Sequence, residues 1–289
     1  MSPPPSRSWP HFLMIGATKC GTTSLQRWLV GHDQVWMPPE KELRFFTTQH
    51  NLHRGPDWYA AQFADAPEGA VIGEASNAYT RHPVYDGVPG RIAALLPQVR
   101  LIYLTRDPLK RIESHYRHRL VTGIEWRRPD AAVRADPRYL AASLYGHQVA
   151  QYLEVFDPEQ LLVIKSEDLF AEPHATLGRI ATFLGIDPAR GPAFAAENVT
   201  AARRVAPWPI RRMGGVPRTK DSAKYWARRL AGSPARHLLP TADRPAFQLS
   251  DAVLADLADT LERDQHRLAR LLGPAARYPR IAPSPTEVV

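Results

Sequence analysis

Four short, unbroken apolar runs leave this chain few folds to choose from: "HFLMI" (11–15), "AVIG" (70–73), "VRLIYLT" (99–105) and "LLVIK" (161–165). A strand with one wet face alternates apolar and polar residues, whereas a strand covered on both faces reads as a continuous apolar stretch. The four runs therefore predict buried strands of a parallel sheet. Parallel neighbours need crossovers, and helical patterns fill the intervals at 23–30, at 108–122 with Pro108 in the first turn, and at 143–156. A further helix is expected over 173–184, where Leu177, Ile180, Ala181 and Leu184 recur at helical spacing before Gly185. The expected fold class is α/β, a doubly wound parallel sheet that binds ligands at the carboxyl ends of its strands.

A chain of 289 residues with 44% hydrophobic content can build one sizeable core, and we expect a single domain over 1–289. Its core spans about 11–200, a basic segment about 201–240 and a C-terminal helix about 250–273 carrying Leu254, Leu257, Leu261, Leu268 and Leu271. The tail after about 280 is expected to be disordered. The net charge of +8 favours an anionic ligand, an acidic acceptor or a membrane surface, without choosing among them. Cys20 is the single cysteine, so no intrachain disulfide exists, and no apolar stretch reaches the roughly 18 residues of a membrane span. The expectation is a soluble, cytoplasmic protein. The segment 201–236 holds Arg or Lys at 203, 204, 211, 212, 218, 220, 224, 228, 229 and 236 against one acid, Asp221. No interleaved aromatic platform accompanies that charge, which argues against nucleic-acid binding. In "KDSAKYWARRLAG", Ala223, Trp226, Ala227 and Leu230 share a helical face. It could rest on the protein core or on an anionic membrane, the core being favoured.

The first run leads into "GATKCGTTSL", residues 16–25. A turn from a buried strand into a helix aims backbone N–H groups and the positive end of the helix dipole at one spot, which makes an anion site. Gly16 and Gly21 permit close backbone approach, and Thr22, Thr23 and Ser24 add hydroxyls. The ordinary phosphate loop of nucleotidases ends GK[ST], with the lysine after the last glycine. Here Lys19 precedes Gly21.

With its K-x-G-T-[ST]-x-L core, "FLMIGATKCGTTSLQRWL" resembles the 5′-phosphosulfate loop of sulfotransferases that use 3′-phosphoadenosine 5′-phosphosulfate (PAPS), in particular a soluble, bacterial-like form of the carbohydrate-type branch. Downstream, "LIYLTRDPLKRIESHYRH" (101–118) resembles that family's strand, turn and helix for the 3′-phosphate. Weaker resemblance continues to about residue 185. The resemblance implies a P-loop-like central parallel sheet flanked by helices, the sulfotransferase fold, with PAPS as co-substrate. It implies a 5′-phosphosulfate cradle of Lys19, Cys20, Gly21, Thr22, Thr23 and Ser24, and a 3′-phosphate grip of Arg106 and Ser114. Lys19 then stabilises charge on the bridging oxygen as the S–O bond breaks, and no metal is needed. The strand "LIYLT" ends in Arg106 rather than in a metal-binding acid. Without the family, Arg106 has a second reading as an ion pair with Glu74 or Asp107, while Asp107 suits the cap of the following helix.

For the base, the resemblance points in "PPEKELRFF" (38–46) to Glu42, three residues before Phe45, with Glu40 the neighbouring competitor. A histidine is the alternative, but no motif singles out His11, His32, His50, His53 or His82. The segment "IGEASNAYTRHP" (72–83) resembles the strand and loop lining the cleft, with Ala75 where some relatives carry a lysine. Glu74 and Ser76 remain as polar contributors or as internally satisfied residues. The resemblance also implies a lid from the later, basic part of the chain over the adenosine and 3′-phosphate, a role open to Arg203 or Arg204. Cys20, a free thiol in the loop, raises the prospect of sensitivity to oxidation. The acceptor is expected to be a small molecule, glycan or lipid offering a hydroxyl or, less favoured, an amine. The alternatives are an atypical P-loop kinase and a non-catalytic nucleotide- or anion-binding module.

Overall fold

The computed structural model describes residues 9–122, 124–196 and 247–278. Arg203 and the basic segment assigned to a lid or membrane face lie outside them. The described part centres on five parallel strands, β1 (Phe12–Gly16), β2 (Val35–Trp36), β3 (Val71–Ala75), β4 (Arg100–Thr105) and β5 (Leu161–Lys165). They lie in the order β2-β3-β1-β4-β5. The sheet thus winds outward from β1 in both directions, which opens a crevice at the carboxyl ends beside it. Leu13 stands opposite Leu101 on one side and Glu74 on the other, and Leu101 opposite Leu161. One carboxylate is thereby carried into an apolar row.

The helices are α1 (Thr22–Val30), α2 (Gly55–Ala61), α3 (Val88–Leu95), α4 (Pro108–Val121), α5 (Pro129–Ala135), α6 (Arg138–Ala141), α7 (Tyr145–Leu153), α8 (Ser166–Ala171), α9 (Pro173–Leu184) and α10 (Asp251–Leu272). Where caps were written into the sequence, the boundaries follow them. Asp107 accepts the Lys110 N–H at 2.8 Å ahead of Pro108, and Gly185 ends α9 with φ 73°. The helix expected at 143–156 is shorter at both ends, starting after Leu144, whose ψ of 72° is not helical, while the Ser143 hydroxyl accepts from Arg111 Nε at 2.5 Å. Strand β2 went unseen because two residues make no apolar run.

The main core gathers around the sheet, while a second cluster joins Ile112, Tyr116 and Leu120 of α4 to Val253, Leu257 and Leu261 of α10. The C-terminal helix also crosses α7 so closely that a Cβ on Gly146 would stand 2.5 Å from the Asp264 carbonyl oxygen. Asp264 accepts the N–H groups of Gly146 and His147 at 2.8 and 2.7 Å, satisfying the start of α7.

Candidate active site

Three loops converge at the carboxyl edge of the sheet. In the loop from β1 to α1, Gly16 and Gly21 both have φ in the region that favours glycine, 148° and 84°. A Cβ on Gly16 would lie 2.1 Å from Thr80 Oγ1. Gly21 caps α1 without a side-chain acceptor, and the first turn holds no acid. No side chain among the described residues caps the helix start at Gly21, as an anion site requires. Thr22 and Ser24 are buried and Thr23 is exposed.

Lys19 is half-buried, and its ammonium makes no hydrogen bond or ion pair among the described residues. Burial, then the charges of Arg106 and Arg111, hold its pKa below the usual lysine range, with Cys20 opposing. Arg106 follows β4 and donates from Nη1 to the Lys19 carbonyl at 3.4 Å. Neither carboxylate expected to pair with it does so: Asp107 caps α4 and Glu74 lies among hydroxyls. Two cations thus flank an open helix start without a counter-ion among the described residues. Ser114, two turns along α4, is half-buried, and its hydroxyl is free of hydrogen bonds among the described residues.

Cys20 requires a correction. Its side chain is wholly buried, with Sγ 3.7 Å from the Tyr145 hydroxyl. Burial pushes its thiol up to about 12. A protonated, enclosed thiol is a poor nucleophile, so the expected oxidation sensitivity has no structural basis. Its side chain also offers nothing to a ligand, and its N–H is bonded to the Ala17 carbonyl at 3.2 Å.

Glu42 lies at the end of β3, its N–H bonded to the Ala75 carbonyl at 3.1 Å. Its Oε1 accepts from Asn77 Nδ2 at 2.6 Å and its Oε2 from Arg44 Nε at 3.2 Å. The carboxylate is about one quarter exposed, so it is oriented yet reachable. Glu40 is solvent-exposed. Backbone strain marks the same place. Among the described residues, the only non-glycine positions in the left-handed region are Lys19 (φ 71°), Glu42 (φ 58°) and Arg44 (φ 51°). Each such residue costs on the order of 1 kcal/mol or more and persists only where its surroundings hold it, as active sites do.

Behind Glu42, Glu74 is buried and accepts from Tyr59 at 2.7 Å, Ser76 at 2.5 Å and Tyr79 at 3.0 Å. Ser76 in turn accepts the Arg44 N–H at 2.9 Å. Glu74 and Ser76 therefore support the loop that carries Glu42 and are internally satisfied. Burial raises the Glu74 pKa to about 7 against the lowering effect of those hydrogen bonds. A carboxyl whose folded pKa is raised contributes stability that is full below about 4.5 and is lost as pH rises through about 7, on the order of 3 kcal/mol. Urea denaturation of Glu74→Gln between pH 5 and 7.5 is expected to give a flatter stability profile than wild type. Parallel profiles would contradict the assignment.

The histidines weighed as alternative bases are engaged elsewhere. His11 Nδ1 accepts the Ile72 N–H at 2.9 Å, His32 is bonded to the Asp187 carbonyl, His50 to Thr47, and His82 to His147; His53 is solvent-facing. Two basic residues went unnoticed in the sequence reading. Arg111 is wholly buried with no carboxylate partner among the described residues, and Arg81 donates to Thr18 Oγ1 beside the loop. Nothing in their spacing distinguishes them from surface arginines. Among the described residues, no group of three or more His, Cys, Asp or Glu is placed to hold a metal ion, and no helix is long and apolar enough to cross a membrane.

Comparison with known proteins agrees with this geometry. The sulfotransferase domain family model matches residues 9–201. Among curated relatives, human bifunctional heparan sulfate N-deacetylase/N-sulfotransferase 3 is 29% identical over 198 residues, covering 62% of this chain and 22% of that protein. The human form 2 is 30% identical over 201 residues, again covering 62% and 22%. The chain thus matches about a fifth of the length of these relatives. A solved sulfotransferase from Alicyclobacillus acidocaldarius superposes with a TM-score of 0.65 at 24% identity, over 92% of this chain and 96% of that one, which establishes the shared fold. With its loop, its strand order and a family match across two thirds of its length, the chain belongs to the sulfotransferase domain family, for which PAPS is the implied sulfuryl donor.

Proposed function

We propose that this chain, working as one domain, transfers the sulfuryl group of PAPS to an acceptor hydroxyl, without a metal. The observation that carries this reading is the pair of cations, Lys19 and Arg106, set at the open start of α1 without a counter-ion among the described residues. The N–H groups around Gly21 and the Thr22 to Ser24 segment receive the 5′-phosphosulfate, while Arg106 and Ser114 take the 3′-phosphate. Glu42 removes the acceptor proton as the new S–O bond forms. The old S–O bond breaks with its electron pair passing to the 5′-phosphate oxygen, where Lys19 meets the developing charge. An amine acceptor is the second reading, because the curated relatives are named for N-sulfotransferase activity. The reading includes a glycan, lipid or small-molecule acceptor and a cytoplasmic location.

Calorimetric titration tests the donor site. In the presence of EDTA, wild type is expected to bind adenosine 3′,5′-bisphosphate at least tenfold more tightly than adenosine 5′-monophosphate, and in separate titrations more tightly than ATP with Mg²⁺. Arg106→Ala should abolish most of the 3′-phosphate preference, a loss of about 1.5 to 3 kcal/mol for a charge-assisted contact. Indifference to the 3′-phosphate would overturn the reading.

A further inference from the structure

Arg81 sits in the loop after β3, and both of its neighbours are fastened. Thr80 Oγ1 donates to the Ile15 carbonyl of β1 at 2.9 Å. His82 is held to α7 from both sides, its N–H by Gln148 Oε1 at 3.2 Å and its carbonyl by Gln148 Nε2 at 2.8 Å. The side chain between these anchors reaches the phosphate loop, where Nη2 donates to Thr18 Oγ1, one residue before Lys19. Its Nε is buried with no hydrogen-bond partner, and no carboxylate is ion-paired with it among the described residues. Burial lowers its pKa, opposed mainly by the charge of Glu42. A fixed guanidinium with an idle donor and no counter-ion is costly unless a ligand completes it.

In-line transfer fixes where that ligand must be. The sulfur travels between the leaving oxygen, at Lys19, and the acceptor oxygen, at Glu42. Arg81 touches the residue next to the first, and the loop that carries it also carries Asn77, whose Nδ2 holds the Glu42 carboxylate at 2.6 Å. We propose that Arg81 is a further catalytic residue that binds the non-bridging oxygens of the sulfuryl group between Lys19 and Glu42. It takes no proton and breaks no bond; its charge faces the sulfuryl oxygens while the sulfur exchanges one S–O bond for another. This rests on the PAPS reading given above.

The test compares two nucleotides that differ only in the sulfuryl group. Calorimetry at low temperature on the full chain measures PAPS and adenosine 3′,5′-bisphosphate binding to wild type, Arg81→Met and Arg81→Lys, with thermal melting as the folding control. Arg81→Met is expected to weaken PAPS binding about tenfold or more and to change bisphosphate binding less than threefold. Arg81→Lys should recover part of the PAPS affinity. Equal weakening of both nucleotides, or none, would overturn the assignment while leaving the donor site intact. Should Arg81→Met not fold, the PAPS-to-bisphosphate ratio of Arg81→Lys decides alone, an unchanged ratio counting against the proposal. If wild type binds neither nucleotide, the donor reading falls and this one with it.

Discussion

Glu42→Gln is expected to lower turnover by about 10²- to 10⁴-fold, the range for losing a general base, while adenosine 3′,5′-bisphosphate binding stays within threefold of wild type. The amide keeps the shape and one acceptor oxygen, enough for either Arg44 Nε or Asn77 Nδ2, but it cannot accept the acceptor's proton. Stability should barely move, because the Glu42–Arg44 pair is partly exposed and such pairs contribute about 0 to 1 kcal/mol. The measurement is labelled sulfate transferred from PAPS to an acceptor that supports the wild type. Turnover within tenfold of wild type would remove Glu42 from the role of base. Glu40 then regains no claim, being solvent-facing.

Lys19→Met should separate activity from stability. Turnover is expected to fall by about 10²- to 10³-fold, as when one preorganised donor to developing charge is removed. Thermal melting is expected to stay level or rise. The ammonium is half-buried, makes no hydrogen bond among the described residues, and lies near Arg106 and Arg111, whose charges depress its pKa together with burial. A lysine whose folded pKa is lowered opposes folding while it is charged, and that cost fades as pH rises toward its ordinary value of 10.5. Methionine removes the repulsion and keeps the hydrocarbon stem. Activity of the wild type should accordingly decline on the alkaline side below that value. A variant that loses activity and melts several degrees lower would mean that Lys19 is structural. Sites that carry uncompensated charge commonly trade stability for function, which makes the opposite signs diagnostic.

Much of this molecule was legible before any coordinates. Continuous apolar runs located four of five strands, and Asp107-Pro108 and Gly185 fixed helix ends, because these signals depend on residues close in sequence. The anion loop was readable for the same reason: its glycines, lysine and hydroxyls occupy ten consecutive positions. The two-residue strand β2 left no run to find, and Ser143, expected to open the helix before β5, is instead held by the distant Arg111.

What composition and local order could not supply was the identity of the neighbours. Whether Arg106 met a carboxylate, and whether Cys20 met solvent, turned on contacts across 87 and 125 residues of chain. The sequence by itself determined that a phosphate-type loop follows a buried parallel strand, since backbone geometry there is written in adjacent residues. Only the tertiary structure decided which charges stay uncompensated, which thiol is sealed and which arginine reaches that loop. Burial and Coulomb interactions depend on distance through space, and the sheet brings β1, β3 and β4 side by side from stretches that begin at residues 12, 71 and 100.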